Sequence, residues 1–266
     1  AQSIDTMTHP NFQGQGVFTK LAQSCYQKAA DRGFKILYGF PNHLSYHGFV
    51  NRLGWTHTGD ITHWIRLIKP SLHPRIPAVM GKAVDLMASM LPKGSAARYE
   101  LRPAKPNDAA LQPLLDHWRT DRGTCLVERN AEWLTWRYAP DSENDYKWVS
   151  AYRSGNLVAA GAWGKQNQKW GDIADGRAHL VELLGEDTGA LQAVLAQIIK
   201  DCAAANSMVL ETLCNIDQIC RALRRAAFFR HCQTPFIVKS LDNSIFDVDV
   251  LAHENWCIMG SDVDIY

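Results

Sequence analysis

The chain has 266 residues, 46% hydrophobic, 21% charged and 10% aromatic, a composition that buries a sizeable core and excludes an intrinsically disordered protein. Twenty-eight Lys and Arg against 27 Asp and Glu leave a net charge of +1, which excludes the overall basic footprint of a dedicated nucleic-acid binder. The seven cysteines include no CxxC pair, so neither a zinc knuckle nor a disulfide scaffold is indicated, and reduced thiols in a cytoplasmic protein are expected.

In chain order, "AQSIDTM" alternates weakly as a strand, and "GVFTKLAQSCYQKAADRG" reads as a helix with Val17, Leu21, Cys25 and Ala29 on one stripe and Gly33 as its C-terminal stop. "FKILYGF" is an apolar strand, "SYHGFVNRL" a short helix ending at Gly54, and "HTGDITHWIRLI" a further strand. A Pro-rich stretch from Ile68 to Pro77 breaks the pattern, and "AVMGKAVDLMASML" follows as a linker helix lying on one of the domains. At 14 residues, Ala78 to Leu91, it is too short to span a bilayer. No longer apolar run and no signal peptide are found, so no membrane partner is expected.

The order then restarts. "ARYELRPA" reads as a strand, "DAALQPLLDHWRT" and "AEWLTWRY" as helices, and "YKWVSAYRSGNLVAAGAWG" as a hairpin turning at "RSGN". "HLVELLG", the long helix "TGALQAVLAQIIKDCAAANS", "MVLETLC", the helix "DQICRALRRAAFF", and the strands "TPFIVKSL" and "NWCIMG" complete the chain. Strand, helix, strand, helix in both parts is an α/β pattern, and the two parts read as relatives. The division expected is 1–68, a linker at 69–96, and 97–266. "SDVDIY" offers Asp262 and Asp264 as paired acids, read here as a solvated tail.

The junction "HPNFQGQGVFTKL" carries the chemistry. A strand running through Pro10 into Gly14 and Gly16 and then a helix either merely turns the chain on its two glycines or aims several free N–H groups at one point, an anion site that glycines let a phosphate approach. It lacks the Lys-Ser/Thr end of an NTP-binding loop and the third glycine of a dinucleotide fingerprint. It resembles instead the pyrophosphate loop of the GCN5-related N-acetyltransferases, the GNAT family: Gln or Arg, two residues, Gly, one residue, Gly or Ala. Gln13, Gly14, Gln15, Gly16 and Val17 fit, and Phe18 stands where the pattern has its last small residue. Asn42 sits where the family places an Asn after its fifth strand. "VNRLGW" is similar to the family's "YxxxGF", with Gly54 and Trp55 in register and Val50 in place of Tyr.

The resemblance covers about residues 1–68 and implies mixed-sheet α/β domains in tandem, the first lacking its opening strands. It implies acetyl-CoA as co-substrate, no metal, and a small-molecule or amine-bearing acceptor whose identity the sequence does not give. By position, Met7 and Thr8 flank the pantetheine arm, Gln13, Gly14, Gln15, Gly16, Val17 and Phe18 hold the diphosphate, and Asn42 and Ser45 face the pantetheine. Amine attack on a thioester needs a base, an oxyanion donor and an acid for the thiolate. With Val50 unable to donate, Tyr46 or His47 is the expected substitute. In the second part "LRRAAFF" stands where "YxxxGF" would, with Ala227 in the Gly position, but its loop puts Glu186 and Asp187 where a diphosphate would dock, the mark of a degenerate copy. Two alternatives stay open: a non-catalytic coenzyme A-binding or scaffold protein, and an aminoacyl transferase of the peptidoglycan-bridge type, which the near-neutral charge disfavours.

Overall fold

The computed structural model describes residues 1–4, 6–120, 125–139, 145–165, 176–242 and 248–263. In chain order the elements are β1 (Gln2–Ser3), α1 (Val17–Asp31), β2 (Ile36–Gly39), β3 (Thr56–Leu67), α2 (Ala78–Met90), β4 (Glu100–Ala104), α3 (Gln112–Thr120), β5 (Cys125–Leu126), α4 (Ala131–Arg137), β6 (Lys147–Arg153), β7 (Asn156–Lys165), β8 (Arg177–Gly185), α5 (Thr188–Ala204), β9 (Val209–Leu213), α6 (Asp217–Arg225), β10 (Phe229–Ser240) and β11 (Trp256–Cys257). They form two compact units, Ala1–Ile61 with Gln233–Trp256, and Thr62–Cys232 with Cys257–Tyr266. The chain thus leaves the first unit after Ile61 and returns to it at Gln233.

In the first unit β1 and β2 are parallel neighbours in register Gln2↔Tyr38 and Ser3↔Gly39, joined by the α1 crossover that parallel strands require. The end of β10 adds antiparallel to β2, from Ile237↔Gly39 to Ser240↔Ile36. Ala22, Leu37, Phe49, Leu53, Trp55 and Ile237 form the apolar core, with Phe18, Tyr26, Ala29, Tyr46 and Val50 packed against it. The buried face of α1 is therefore Phe18–Ala22–Tyr26–Ala29. The expected stripe is displaced by about one position, since Val17, Leu21 and Cys25 are exposed. The aromatic residues decide the rotation: Phe18 meets Phe49 edge-on at 5.4 Å between ring centres, and Trp55 Nε1 donates to Tyr26 Oη at 2.9 Å. Burial pushes the Tyr26 phenol up to about 12, so it stays a neutral partner.

In the second unit β4, β6, β7 and β8 run antiparallel in that order, and β9 lies parallel to β8 through the α5 crossover. The β6–β7 hairpin turns on Ser154 and Gly155, both at positive φ (52° and 84°), the backbone that a tight two-residue hairpin uses. One face of α5 fills the core with Leu191, Val194, Leu195 and Ile198. Ala227 also has a left-handed backbone, φ 56°, and Gly54 has φ 67°. The two residues matched by sequence share a conformation that favours glycine.

Two buried polar groups organise this unit. Among the described residues Arg66 has no acid beside it. Its guanidinium donates to the carbonyls of Leu91 (3.2 Å), Pro92 (2.6 Å) and Ala226, so the C-terminal ends of α2 and α6, negative by their dipoles, balance its charge. Burial brings its pKa down to about 10, leaving it charged. This holds α2, the expected linker helix, by its end and by its small residues: Gly81 and Ala88 are buried, while Val79, Met80, Leu86, Met87 and Met90 are exposed. No described helix is long and apolar enough to cross a membrane.

His179 on β8 is buried, with Nδ1 3.3 Å from Glu211 Oε1. Burial, and secondarily the charge of Arg177, hold its pKa down to about 4. The unfolded chain therefore binds a proton that the fold refuses between pH 6.5 and 4. His179 supplies its full stability above pH 6.5 and loses on the order of 3 kcal/mol as pH falls to about 4. Urea midpoints measured across that window are expected to fall less steeply for His179→Gln than for the wild type; parallel curves would contradict the assignment.

Candidate functional site

After β1 the chain passes Thr6–Thr8 and makes a short 3-10 turn at Pro10–Phe12, opened by His9, whose Nδ1 accepts from the Asn11 N–H at 3.3 Å. Two glutamine side chains then tie the loop to itself: Gln13 Nε2 donates to the Thr8 carbonyl (3.1 Å) and Gln15 Nε2 to the Asn11 carbonyl (3.2 Å). Gly14 and Gly16 both have φ +76°, and no atom lies within 4 Å of where their Cβ would be. Glycine is needed for the backbone, and the space above it is open.

Gly16 heads α1 without a capping side chain, and no acid stands in the first turn. The first bond of the helix runs from the Lys20 N–H to the Gly16 carbonyl at 3.0 Å. Among the described residues, none of the N–H groups of Gly14 to Thr19 makes a well-aligned hydrogen bond. Helix ends are often satisfied by a capping side chain, and here none stands at the positive end of the dipole.

A cavity of about 470 Å³ adjoins this loop. Of the residues predicted from the sequence, Met7, Thr8, Gln13, Phe18, Asn42, Ser45 and His47 line it, together with Arg52. Gly14, Gln15, Gly16 and Val17 belong to the loop but not to this wall. A second hollow of about 320 Å³ shares Thr6, Met7, Thr8 and Phe18 and continues along Leu21 and Cys25 of α1. Leu21 and Cys25, exposed rather than packed in the core, thus line this hollow.

The far wall is a helical segment that opens at Asn42. Its Oδ1 accepts from the N–H groups of Leu44 and Ser45, both at 3.0 Å, and from Ser45 Oγ at 3.2 Å. Asn42 is thereby a helix cap, which fixes where the wall begins. The segment contains a π turn at Gly48–Arg52, and Lys239 closes its end by donating to the Leu53 carbonyl at 2.9 Å. Phe18 lies against Gly48, where a Cβ would come within 2.8 Å of Phe18 Cε1. The large residue at position 18 is accommodated by the absent side chain at 48.

The two candidate acids face different surroundings. His47 lines the cavity, and its Nδ1 accepts from Asn51 Nδ2 at 2.6 Å, leaving the proton on Nε2. Tyr46 is not on the cavity wall. It packs on the core and donates to His57 Nδ1 at 3.0 Å, since His57 Nε2 faces two acceptors, the Gly59 carbonyl (2.9 Å) and Asp60 Oδ1 (3.1 Å). Val50 also packs on the core and is absent from the wall. His57, Asn51 and Arg52 were not singled out in the sequence; the i, i+4 spacing of His47 and Asn51 is the signal that could have pointed to one of them.

The corresponding strand-to-helix junction of the second unit is closed. Asp187 caps α5 by accepting from the Ala190 N–H (2.8 Å), and Arg153 donates to both Asp187 (2.9 Å) and Glu186 (3.3 Å). The donors at the head of α5 already have a carboxylate. The terminal acids differ from expectation. Asp262 is buried and takes two contacts from Arg129 Nη2, at 2.9 and 3.0 Å, so it is no solvated tail; Asp264 lies outside the described residues.

No protein-family model matches the sequence, and no curated protein matches it. Among solved structures, a GCN5-related N-acetyltransferase from Anabaena variabilis ATCC 29413 is similar over 88% of this chain and 53% of its own, at 11% identity and TM-score 0.58. A tandem GNAT protein from the clavulanic acid biosynthesis pathway matches over 90% of this chain and 74% of its own, at 13% identity and TM-score 0.59. A GCN5-related N-acetyltransferase from Kribbella flavida matches over 90% and 51%, at 14% identity and TM-score 0.56. The chain therefore has the mixed-sheet α/β fold of tandem GNAT proteins. It spans about half the length of the Anabaena and Kribbella proteins.

The packing of Phe18 on Gly48 yields a direct expectation. Gly48→Val overfills the wall and should cost about 1–3 kcal/mol. The loss should be smaller in a Phe18→Ala background, a coupling read from urea unfolding of the double-mutant cycle. Additive losses would show that the two residues are not in contact.

Proposed function

We propose that this protein is an acyltransferase that takes an acetyl group from coenzyme A to an amine, and that residues 1–68 supply its coenzyme contacts. The observation that carries this reading is the uncapped head of α1, where none of the N–H groups from Gly14 to Thr19 makes a well-aligned hydrogen bond among the described residues, beside a cavity of about 470 Å³. An anion with several oxygens satisfies such donors, and a diphosphate is of that kind. Thr8, Asn42 and Ser45 line the adjoining cavity with polar groups suited to an amide-bearing arm, while Met7 and Phe18 add apolar wall.

In this reading the amine nitrogen attacks the thioester carbonyl, a C–N bond forms and the C–S bond breaks; the nitrogen gives up one proton and the departing thiolate takes one, so the transfer consumes no net proton. His47 is the proposed proton donor, because of the two candidates it is the one on the cavity wall. Tyr46, engaged with His57, is the lesser candidate. The fold of the solved GNAT proteins supports the class of reaction and leaves the acceptor open. A second reading, coenzyme binding without transfer, is favoured by one observation: no tyrosine lines this cavity among the described residues.

Coenzyme A at about 100 times its dissociation constant adds roughly 2.7 kcal/mol to the state that binds it, which for a chain of this size is a rise of about 5 to 10 °C in the melting midpoint. Gly16→Val should abolish the rise, and NAD should produce little in the wild type. A full rise in Gly16→Val would refute the loop assignment. A rise in the wild type with no turnover of acetyl-CoA on any of a panel of amines would select the second reading.

A further inference from the structure

The second unit repeats the arrangement of strand, crossover helix and parallel strand, but the space between its strands is treated differently. β8 and β9 pair only from Arg177↔Val209 to His179↔Glu211 and then part. Where they part, a later segment enters. Cys214, just past β9, forms an antiparallel bridge with Met259. The Asn215 N–H donates to the Ile258 carbonyl at 3.3 Å, and Asn215 Oδ1 accepts from the Ile258 N–H at 2.8 Å. Gly260 sits against both strands: a Cβ there would lie 2.9 Å from the Leu180 carbonyl oxygen on β8 and 3.3 Å from Thr212 Oγ1 on β9. Ile258, Met259, Gly260, Ser261 and Asp262 are all buried.

The segment is also fastened. Asp262 shares Arg129 with Glu182 of β8, whose carboxylate accepts from Arg129 Nε at 3.0 Å. All three side chains are inaccessible to water. Withdrawing the segment would strip a buried guanidinium of one of its two carboxylates, which is strongly unfavourable. In the first unit, by contrast, β1 and β2 pair over two positions and the residues beyond them line an open cavity.

We infer that Ile258–Asp262 is a built-in occupant of the second unit's cleft, so that this cleft is closed to coenzyme and the chain takes at most one coenzyme molecule, in the first unit. The closed cleft and the capped head of α5 are independent features of the same unit, and both oppose binding there. The statement about the first unit rests on the function proposed above; the statement about the second does not.

Two measurements on the full chain separate them. In calorimetric titration with coenzyme A, one site per chain is expected, lost entirely in Gly16→Val; two sites, or binding that survives Gly16→Val, would overturn the inference. In hydrogen exchange of the unliganded protein, the Ile258 and Met259 amides should exchange as slowly as those of β8; fast exchange would overturn it as well. Gly260→Ala should lower the melting midpoint by several degrees, because its methyl group would enter the 2.9 Å gap to the Leu180 carbonyl, and an unchanged midpoint would count against occupancy. No coenzyme binding by the wild type together with slow exchange at Ile258 would uphold the closed cleft and refute the function proposed for the first unit.

Discussion

The head of α1 carries no capping side chain, and none of the N–H groups of Gly14 to Thr19 makes a well-aligned hydrogen bond among the described residues; the first unit's other features are arranged around that helix end. Left-handed glycines with open space above them shape the loop, the two glutamine clips hold the turn, and the aromatic face of α1 anchors the helix on the core behind it. Nothing in the first turn competes: no capping side chain and no acid. A buried helix end of this sort would be costly. Exposed beside a cavity, it is the feature on which the proposed anion site rests.

The second unit meets the same backbone problem with its own side chains. Asp187 satisfies the head of α5, and Arg153 neutralises the resulting pair of carboxylates. Its interior charge is balanced in two ways. Arg66 uses carbonyls at two helix ends, whereas Arg129 uses two carboxylates, Glu182 and Asp262. Burial raises the pKa of both acids, and their attraction for Arg129 opposes that rise. Such a cluster stabilises little against an apolar alternative, but losing one member costs about 3–5 kcal/mol, so it fixes which segment occupies the site.

Much of this order was legible in the sequence. The alternation of strands and helices, the hairpin at Ser154 and Gly155, and the paired glycines rest on local chemistry, and local chemistry survives folding. Asn42 lines the cavity, and its side-chain oxygen serves as a helix cap, a role the sequence did not single out. The stripe on α1 was read one position off because Val17 and Leu21 are as apolar as Phe18 and Ala22; only Phe49 and Trp55, distant in sequence, decide between them. Tyr46 looked equivalent to His47, and its partner His57 lies eleven positions on, beyond the reach of helical spacing. The return of Gln233–Trp256 to the first unit and the burial of Asp262 are pairings at long sequence separation, which periodicity does not encode.

The central claim is that the head of α1, and not that of α5, receives an anionic coenzyme. Backbone amide shifts of the isotopically labelled protein during titration with coenzyme A test it most directly. Saturable shifts concentrated at Gly14 to Thr19, with Thr188 to Ala190 unmoved, are the predicted result. Shifts at Thr188 to Ala190, or a saturated titration that leaves Gly14 to Thr19 in place, would contradict the account.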